Sequence, residues 1–343
     1  MGQRRIIPQC LPSGKRGTLV VTLGALLLAC VSCTRHAQTE QETESRIPIG
    51  LVYLLEHPSI TQGLDGFKEE LARVEAERNV KFDVIYSNAF GDIKNVHSIL
   101  QSFLRADVSG VVALTTPCAQ AAAAIIQDRP VIFVGVSDPV AAGLVPSLSA
   151  GRENVTGTTS QVPNEKTLAL ARELYPELRR LGILYSVGEA NSRAIIDDLH
   201  AQIEAGNIPL DLVEMPIANS SELLAAANRV ASRSDALLII NDNGVVSSVD
   251  LVLRAADAAG IPVFASDIDT VKRGAAFTYG LDYRDEGRAA ARLVEKILLD
   301  RASPATIPVH VNDRSYLFLN DSFVSSYGQL PPDVVQEATI IGE

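Results

Sequence analysis

Residues 110–140 read GVVALTTPCAQAAAAIIQDRPVIFVGVSDPV. Gly110–Leu114 is a short apolar run, the pattern of a strand buried on both faces of a parallel sheet. An Ala-rich segment reaching Ile126 then reads as a helix, with Thr116 as its N-cap and Pro117 at its first position. Pro130–Val136 is a second buried strand, and it ends in Ser137-Asp138-Pro139. Two strand ends therefore carry small hydroxyls, and one of them opens a helix. The free N–H groups and partial positive charge of a helix N-terminus suit a carboxylate or phosphate. Open α/β sheets bind ligands at the carboxyl ends of their strands. Taken alone, Thr116, Ser137 and Asp138 serve equally well as cap and turn formers.

Strand and helix alternate on either side of this stretch. Pro48–Tyr53 is an apolar strand, and Gln62–Arg78 is amphipathic, with Leu64, Phe67, Leu71 and Val74 on one face. Val80–Tyr86 and Asp92–Ala106 supply a strand and a helix. That order predicts a parallel sheet with helices on both faces. It then begins again. Strands fall at Arg180–Tyr185, Leu210–Met215, Ala236–Asn241 and Pro262–Ala265, with helices at Asn191–Ala205, Ser220–Arg233 and Val245–Gly260. Val155–Thr159 reads as the link to a helix at Pro163–Tyr175. Ala275–Thr278, a helix at Asp285–Asp300, Ile307–Val311 and Ser315–Leu319 remain at the end. A leftover helix–strand unit implies more than one passage between the halves. Periodicity alone leaves one passage or three open. The expected fold is α/β, two doubly wound Rossmann-like lobes joined by a hinge that suits closure around a ligand.

The first residues read as an export signal. Arg4, Arg5, Lys15 and Arg16 precede the apolar run Thr18–Ala29, which is too short to span a bilayer comfortably. Leu27-Leu28-Ala29-Cys30 is similar to the lipobox of bacterial lipoproteins, which makes Cys30 the expected acylated residue and Cys33 the alternative. Residues 1–33 are thus a signal region and 34–46 a polar tether. The net charge is −11, and since residues 1–33 hold four basic residues and no acid, the rest carries −15. That argues against nucleic acid as a partner. The Cys residues stand at 10, 30, 33 and 118, so no disulfide framework forms in the mature body. Neither a His-rich nor a calcium-loop spacing occurs, so no metal is expected. There is no G-x-S-x-G, Walker A or G-x-G-x-x-G motif, so neither enzyme nor cofactor is expected.

Several short motifs occur in a fixed order. They are Leu55-Glu56-His57-Pro58, Thr115-Thr116-Pro117-Cys118-Ala119-Gln120-Ala121, Val136-Ser137-Asp138-Pro139-Val140, Asn154-Val155-Thr156-Gly157, Gly188-Glu189-Ala190-Asn191-Ser192, Ala265-Ser266-Asp267 and Tyr279-Gly280-Leu281-Asp282-Tyr283. With them, residues 47–340 resemble the bacterial extracytoplasmic solute-binding proteins of the family that includes TrpX-type tryptophan receptors for ABC importers. Ser59-Ile60-Thr61 departs from the Ala-Leu-Asp usual there, and Asn241-Asp242-Asn243 is more acidic than expected. The resemblance implies a type I periplasmic-binding-protein fold with three crossovers, near Gly157–Ser160, Thr278–Asp282 and His310–Arg314. The N-terminal lobe would comprise 47–158 plus 282–311, and the C-terminal lobe 159–281 plus 312–343. The implied partners are a small solute, probed first among amino acids and aromatic ones in particular, an ABC permease and a lipid anchor on the outer side of the membrane.

The resemblance also implies a division of labour. Thr115, Thr116 and the helix opened by Pro117 would hold a carboxylate, with Ser137 nearby. Asp267, Asp269 or Asp138 would face an ammonium; Asp267 and Asp269 alternate, so one of them reaches it. Glu189, Asn191, Ser192 and Asn243 would close from the second lobe. Tyr53, Glu56 and His57 would line the side-chain region. Two other functions remain open: a receptor domain feeding a membrane sensor, and a lipid-anchored hydrolase.

Overall fold

The computed structural model describes residues 46–342. The signal region, most of the tether, and Cys30 and Cys33 lie outside the described residues.

The first half runs β1 (Arg46–Tyr53), α1 (Pro58–Arg78), β2 (Lys81–Asn88), α2 (Ile93–Arg105), β3 (Gly110–Leu114), α3 (Thr116–Ile125), β4 (Val131–Val136) and β5 (Val155–Ser160). The second half runs α4 (Asn164–Leu174), β6 (Arg180–Ser186), α5 (Ala190–Ala205), β7 (Asp211–Ile217), α6 (Leu223–Ala231), β8 (Ala236–Ile239), α7 (Asn243–Ser247), α8 (Val249–Ala259), β9 (Val263–Ala265), α9 (Ile268–Lys272) and β10 (Phe277–Leu281). Then follow α10 (Tyr283–Val294), β11 (His310–Asn312), β12 (Ser315–Asn320), α11 (Asp321–Tyr327), α12 (Pro332–Glu337) and β13 (Thr339–Ile341).

Two sheets result, ordered β11-β5-β4-β3-β1-β2 and β13-β12-β10-β9-β8-β6-β7. All pairings are parallel except β10 with β12. Every residue of β3, β5 and β8 is buried, as strands covered on both faces require. Each sheet has an apolar cluster on either side. The chain passes from the first sheet to the second between β5 and α4, returns between β10 and α10, and passes again between β11 and β12.

Val155–Ser160 is a strand of the first sheet and not merely a link. It lies between β4 and β11, and its threonine hydroxyls find partners: Thr156 donates to Ile307 O at 3.1 Å and Thr159 to Ser137 O at 3.1 Å. The helix expected over 245–260 is divided at Ser248, whose backbone (φ −126°, ψ 29°) leaves the helical region. Helix α1 begins at Pro58, four residues before its amphipathic stretch.

Helices α1 and α10 touch backbone to backbone. A side chain at Gly66 would strike the Arg284 carbonyl, and one at Gly287 would strike the Gly63 carbonyl. Only glycine permits that approach. It brings the start of α10, with Tyr283 and Glu286, against the start of α1 on one wall of the interlobe space.

Candidate functional site

A cavity lies between the lobes at the carboxyl ends of β1, β3 and β4 on one side and of β8 and β9 on the other. It encloses about 630 Å³ free of protein atoms, its solvent-facing mouth included. Three hydrogen bonds join the lobes at or beside it. His57 Nε2 lies 3.4 Å from Asn243 Oδ1. Gln62 Nε2 donates to Asp269 Oδ2 at 2.6 Å. Asn241 Nδ2 donates to the Tyr283 hydroxyl at 2.9 Å.

The first lobe contributes a strained corner. Thr115 has φ 78° and ψ 154°, a region populated almost solely by glycine. It occupies the cap position of α3 without making a side-chain cap bond, and Thr116 is the first helical residue rather than the cap. The Thr115 hydroxyl is buried without a hydrogen-bond partner, its weak neighbour being the Cys118 thiol, which burial pushes up to about 12. Beside it, β4 carries an irregularity between Phe133 and Val136, with Gly135 at φ 67°. Gly135 N–H donates to Thr158 Oγ1 at 3.2 Å, and that hydroxyl donates to Glu286 Oε2 at 3.2 Å. Irregular strand ends of this kind re-aim groups next to functional sites.

The second lobe is organised by two buried acids. Asp242 accepts from Ser186 N–H at 2.6 Å and Ser192 Oγ at 2.8 Å on one oxygen, and from Ser186 Oγ at 2.8 Å and Val245 N–H at 2.9 Å on the other. Glu189 accepts from Asn191 Nδ2 at 3.1 Å, Asn243 N–H at 3.1 Å and Gly244 N–H at 3.2 Å. Burial, and then the charge of Asp242, push the Glu189 carboxyl above its ordinary range. With its amide committed to Glu189 and to Asn241 O, Asn191 leaves Oδ1 buried and unpartnered.

Of the residues expected from sequence, His57, Thr115, Thr116, Ser137, Asn191, Asn243 and Asp267 line this cavity. The others do not. Tyr53 packs with the core beside α1, and Glu56 is exposed. Pro117 is buried within α3. Asp138 is exposed and holds its own turn, accepting from Val140 and Ala141 N–H at 3.0 and 2.8 Å. Glu189 and Ser192 stand behind the wall and orient it. Asp269 accepts from Gln62 and pairs with Lys272. Sequence reasoning missed Asn241, Asp242, Tyr283 and Glu286, which also line the cavity. The acidic departure at Asn241-Asp242-Asn243 was the available signal for the first two.

Charge in the cavity is one-sided. Among the described residues, none lining it is Lys or Arg. Asp267 caps α9, accepting from Thr270 N–H at 2.8 Å and Thr270 Oγ1 at 2.6 Å, and burial raises its pKa. Glu286 accepts from Thr158, Ser160 and, at 3.5 Å, Asn312, and burial raises its pKa as well. Burial pulls His57 down to about 4, so its ring is neutral near pH 7. If Nε2 carries the proton toward Asn243, Nδ1, which is buried and unpartnered, is a free acceptor. Among the described residues, no cluster of His, Cys, Asp and Glu is suited to a metal ion, and no helix is long and apolar enough to cross a membrane.

Two α/β lobes with unpaired polar groups converging on the space between them define a solute-binding protein. A family model described as ABC transporter substrate binding protein matches residues 48–340, and the chain belongs to that family. Proteins of this kind bind solutes outside the cytoplasm and are not enzymes. A tyrosine-binding protein of Clostridioides difficile (strain R20291) is 33% identical over 273 residues, covering 80% of this chain and 78% of that one. The crystal structure of an ABC domain in complex with L-Trp from Streptococcus pneumoniae superposes with a TM-score of 0.81 at 26% identity, over 86% of this chain and 99% of that chain. The ligand-free, open structure of a substrate binding protein with adhesive properties from Clostridium difficile gives 0.62 at 29% identity, with the same coverage.

Proposed function

We propose that this chain is the solute receptor of an ABC importer, that it holds an aromatic amino acid, tyrosine or tryptophan, between its lobes, and that a lipid on Cys30, or on Cys33, tethers it to the outer side of the membrane. The lobes would be 47–158 plus 282–311 and 159–281 plus 312–343.

The observation that carries this reading is the set of buried acceptors without partners, His57 Nδ1, Thr115 Oγ1 and Asn191 Oδ1, all in residues lining one interlobe cavity. Buried polar atoms are rarely left unpaired in a finished structure, and a bound solute with donors would satisfy them. Asp267 supplies negative charge for an ammonium. The first turn of α3 offers unpaired N–H groups for a carboxylate. Ile60, Leu114, Val134 and Val246 offer apolar wall for a ring. The names of the relatives support an aromatic amino acid. The chain also superposes better on the L-Trp complex, with a TM-score of 0.81, than on the open, ligand-free structure, with 0.62, although identity to the latter is higher. Work of this kind is differential binding to the closed state, which a permease then recognises.

A thermal-shift screen of the purified protein against amino acids, peptides, sugars and nucleosides tests this. A solute at a hundred times its Kd adds about 2.7 kcal/mol of apparent stability, so L-tyrosine or L-tryptophan should raise the melting temperature by several degrees. A shift confined to sugars or nucleosides would reject the reading.

A further inference from the structure

We propose that the ammonium group of the solute bridges Asp267 of one lobe and Glu286 of the other, and that closure of the cleft depends on this bridge. The proposal rests on the amino-acid reading above and adds a second acid to it.

Asp267 is 2% exposed and Glu286 1% exposed, and both line the same cavity. They come from opposite lobes: Asp267 opens α9 beside β9, and Glu286 sits on α10 against β4 and β5. Tyr283 lines the same cavity, its hydroxyl accepting from Asn241 across the lobes. Among the described residues neither carboxylate is paired with Lys, Arg or His. A carboxylate has about four acceptor sites. Asp267 accepts twice from Thr270, and Glu286 accepts from Thr158, Ser160 and, at 3.5 Å, Asn312; all of these donors are neutral, so neither charge is balanced by the protein.

Bringing two buried carboxylates together across a closing cleft is unfavourable unless a cation lies between them. An ammonium supplies both the charge and three donors. Two further observations point to a ligand here. Thr115 Oγ1 and Asn191 Oδ1 belong to residues 6% and 5% exposed that line the same cavity, and neither oxygen has a partner.

Glu286 is also tied to the hinge. Its donors Thr158 and Ser160 lie on β5, and Asn312 lies on β11 and donates as well to the Asp282 carbonyl at 3.2 Å. These are the three places where the chain passes between lobes. A cation captured by Glu286 therefore acts on the group that joins all three passages.

The test compares L-tyrosine with 3-(4-hydroxyphenyl)propanoate, which lacks the amine, and L-tryptophan with 3-(indol-3-yl)propanoate. Calorimetry reads affinity, and small-angle scattering reads lobe closure. In the wild type, the amino acid should bind at least 100-fold more tightly than its deaminated analogue, and only the amino acid should contract the protein. Glu286→Gln keeps the shape and removes the charge. It should reduce that discrimination at least tenfold, and Asp267→Asn should do the same in a protein whose Glu286 region is intact. Wild-type discrimination and closure in both folded variants would overturn the bridge while leaving the function standing. A wild-type protein that binds no amino acid would overturn the function and the bridge together.

Discussion

Gln62 on α1 donates to Asp269 on α9 at 2.6 Å, joining two residues 207 positions apart in sequence and on opposite lobes. Asp269 thereby takes part in a direct contact between the lobes. Gln62→Ala should remove about 0.5–1.5 kcal/mol from the closed state. Solute affinity should fall roughly three- to tenfold, mostly through faster dissociation. Stopped-flow dissociation rates check this; an unchanged rate would show that the contact does not govern closure.

Thr115 carries strain that a purely structural corner has no need of. With φ 78° and ψ 154°, it costs on the order of 1–3 kcal/mol. Thr115→Gly relieves the strain and removes the unpaired hydroxyl, against a greater entropy loss on folding. The variant should gain about 1 kcal/mol of stability and lose solute affinity. Thermal unfolding alongside a binding titration measures both, and a destabilised variant with unchanged affinity would contradict a functional role.

Glu189 holds the second-lobe wall from behind. Glu189→Ala leaves the Asn191 amide and the Asn243 and Gly244 N–H groups without their acceptor, which should cost about 2–4 kcal/mol. Denaturant unfolding measures the cost. Affinity should fall as well, because Asn191 loses its orientation.

His57 supplies one identifiable part of the pH dependence of stability. Its ordinary pKa of 6.5 falls to about 4 in the folded protein. Between those values the unfolded chain takes up a proton that the native chain refuses, so stability declines as pH falls from 6.5 to about 4 and then levels. The full loss is on the order of 3.4 kcal/mol at most. The raised carboxyls of Asp267, Glu286 and Glu189 act in the opposite sense, losing stability as pH rises above the ordinary carboxylate range. His57→Asn keeps those acids, so the difference between wild type and variant isolates the ring. That difference should shrink on acidification; a difference independent of pH would refute the assignment.

The two sheets were legible because parallel strands buried on both faces read as continuous apolar runs, as Gly110–Leu114 and Val131–Val136 do. Val155–Ser160 was not, because Val-Thr-Gly-Thr-Thr-Ser carries hydroxyls whose partners, Ile307, Ser137 and Glu286, lie up to 151 positions away. The hydroxyl-bearing strand ends could be read from position, and Asp267 from the family resemblance. Glu286 could not: on a charged amphipathic helix a glutamate reads as solvated, and what buries it is Ser160, 126 positions distant, together with Thr158 and Asn312. Nor does Thr-Thr-Pro announce a positive φ. The sequence favours Thr116 as cap, while the fold starts the helix there and leaves Thr115 to make the corner.

The most direct measurement is a calorimetric titration of the purified protein with L-tyrosine and L-tryptophan, beside L-glutamate and a sugar. Saturable binding of one aromatic amino acid per chain, abolished or strongly weakened by Asp267→Ala and absent for L-glutamate, is the expected result. No heat with either aromatic amino acid, or binding that Asp267→Ala leaves untouched, would contradict a cleft built to hold them.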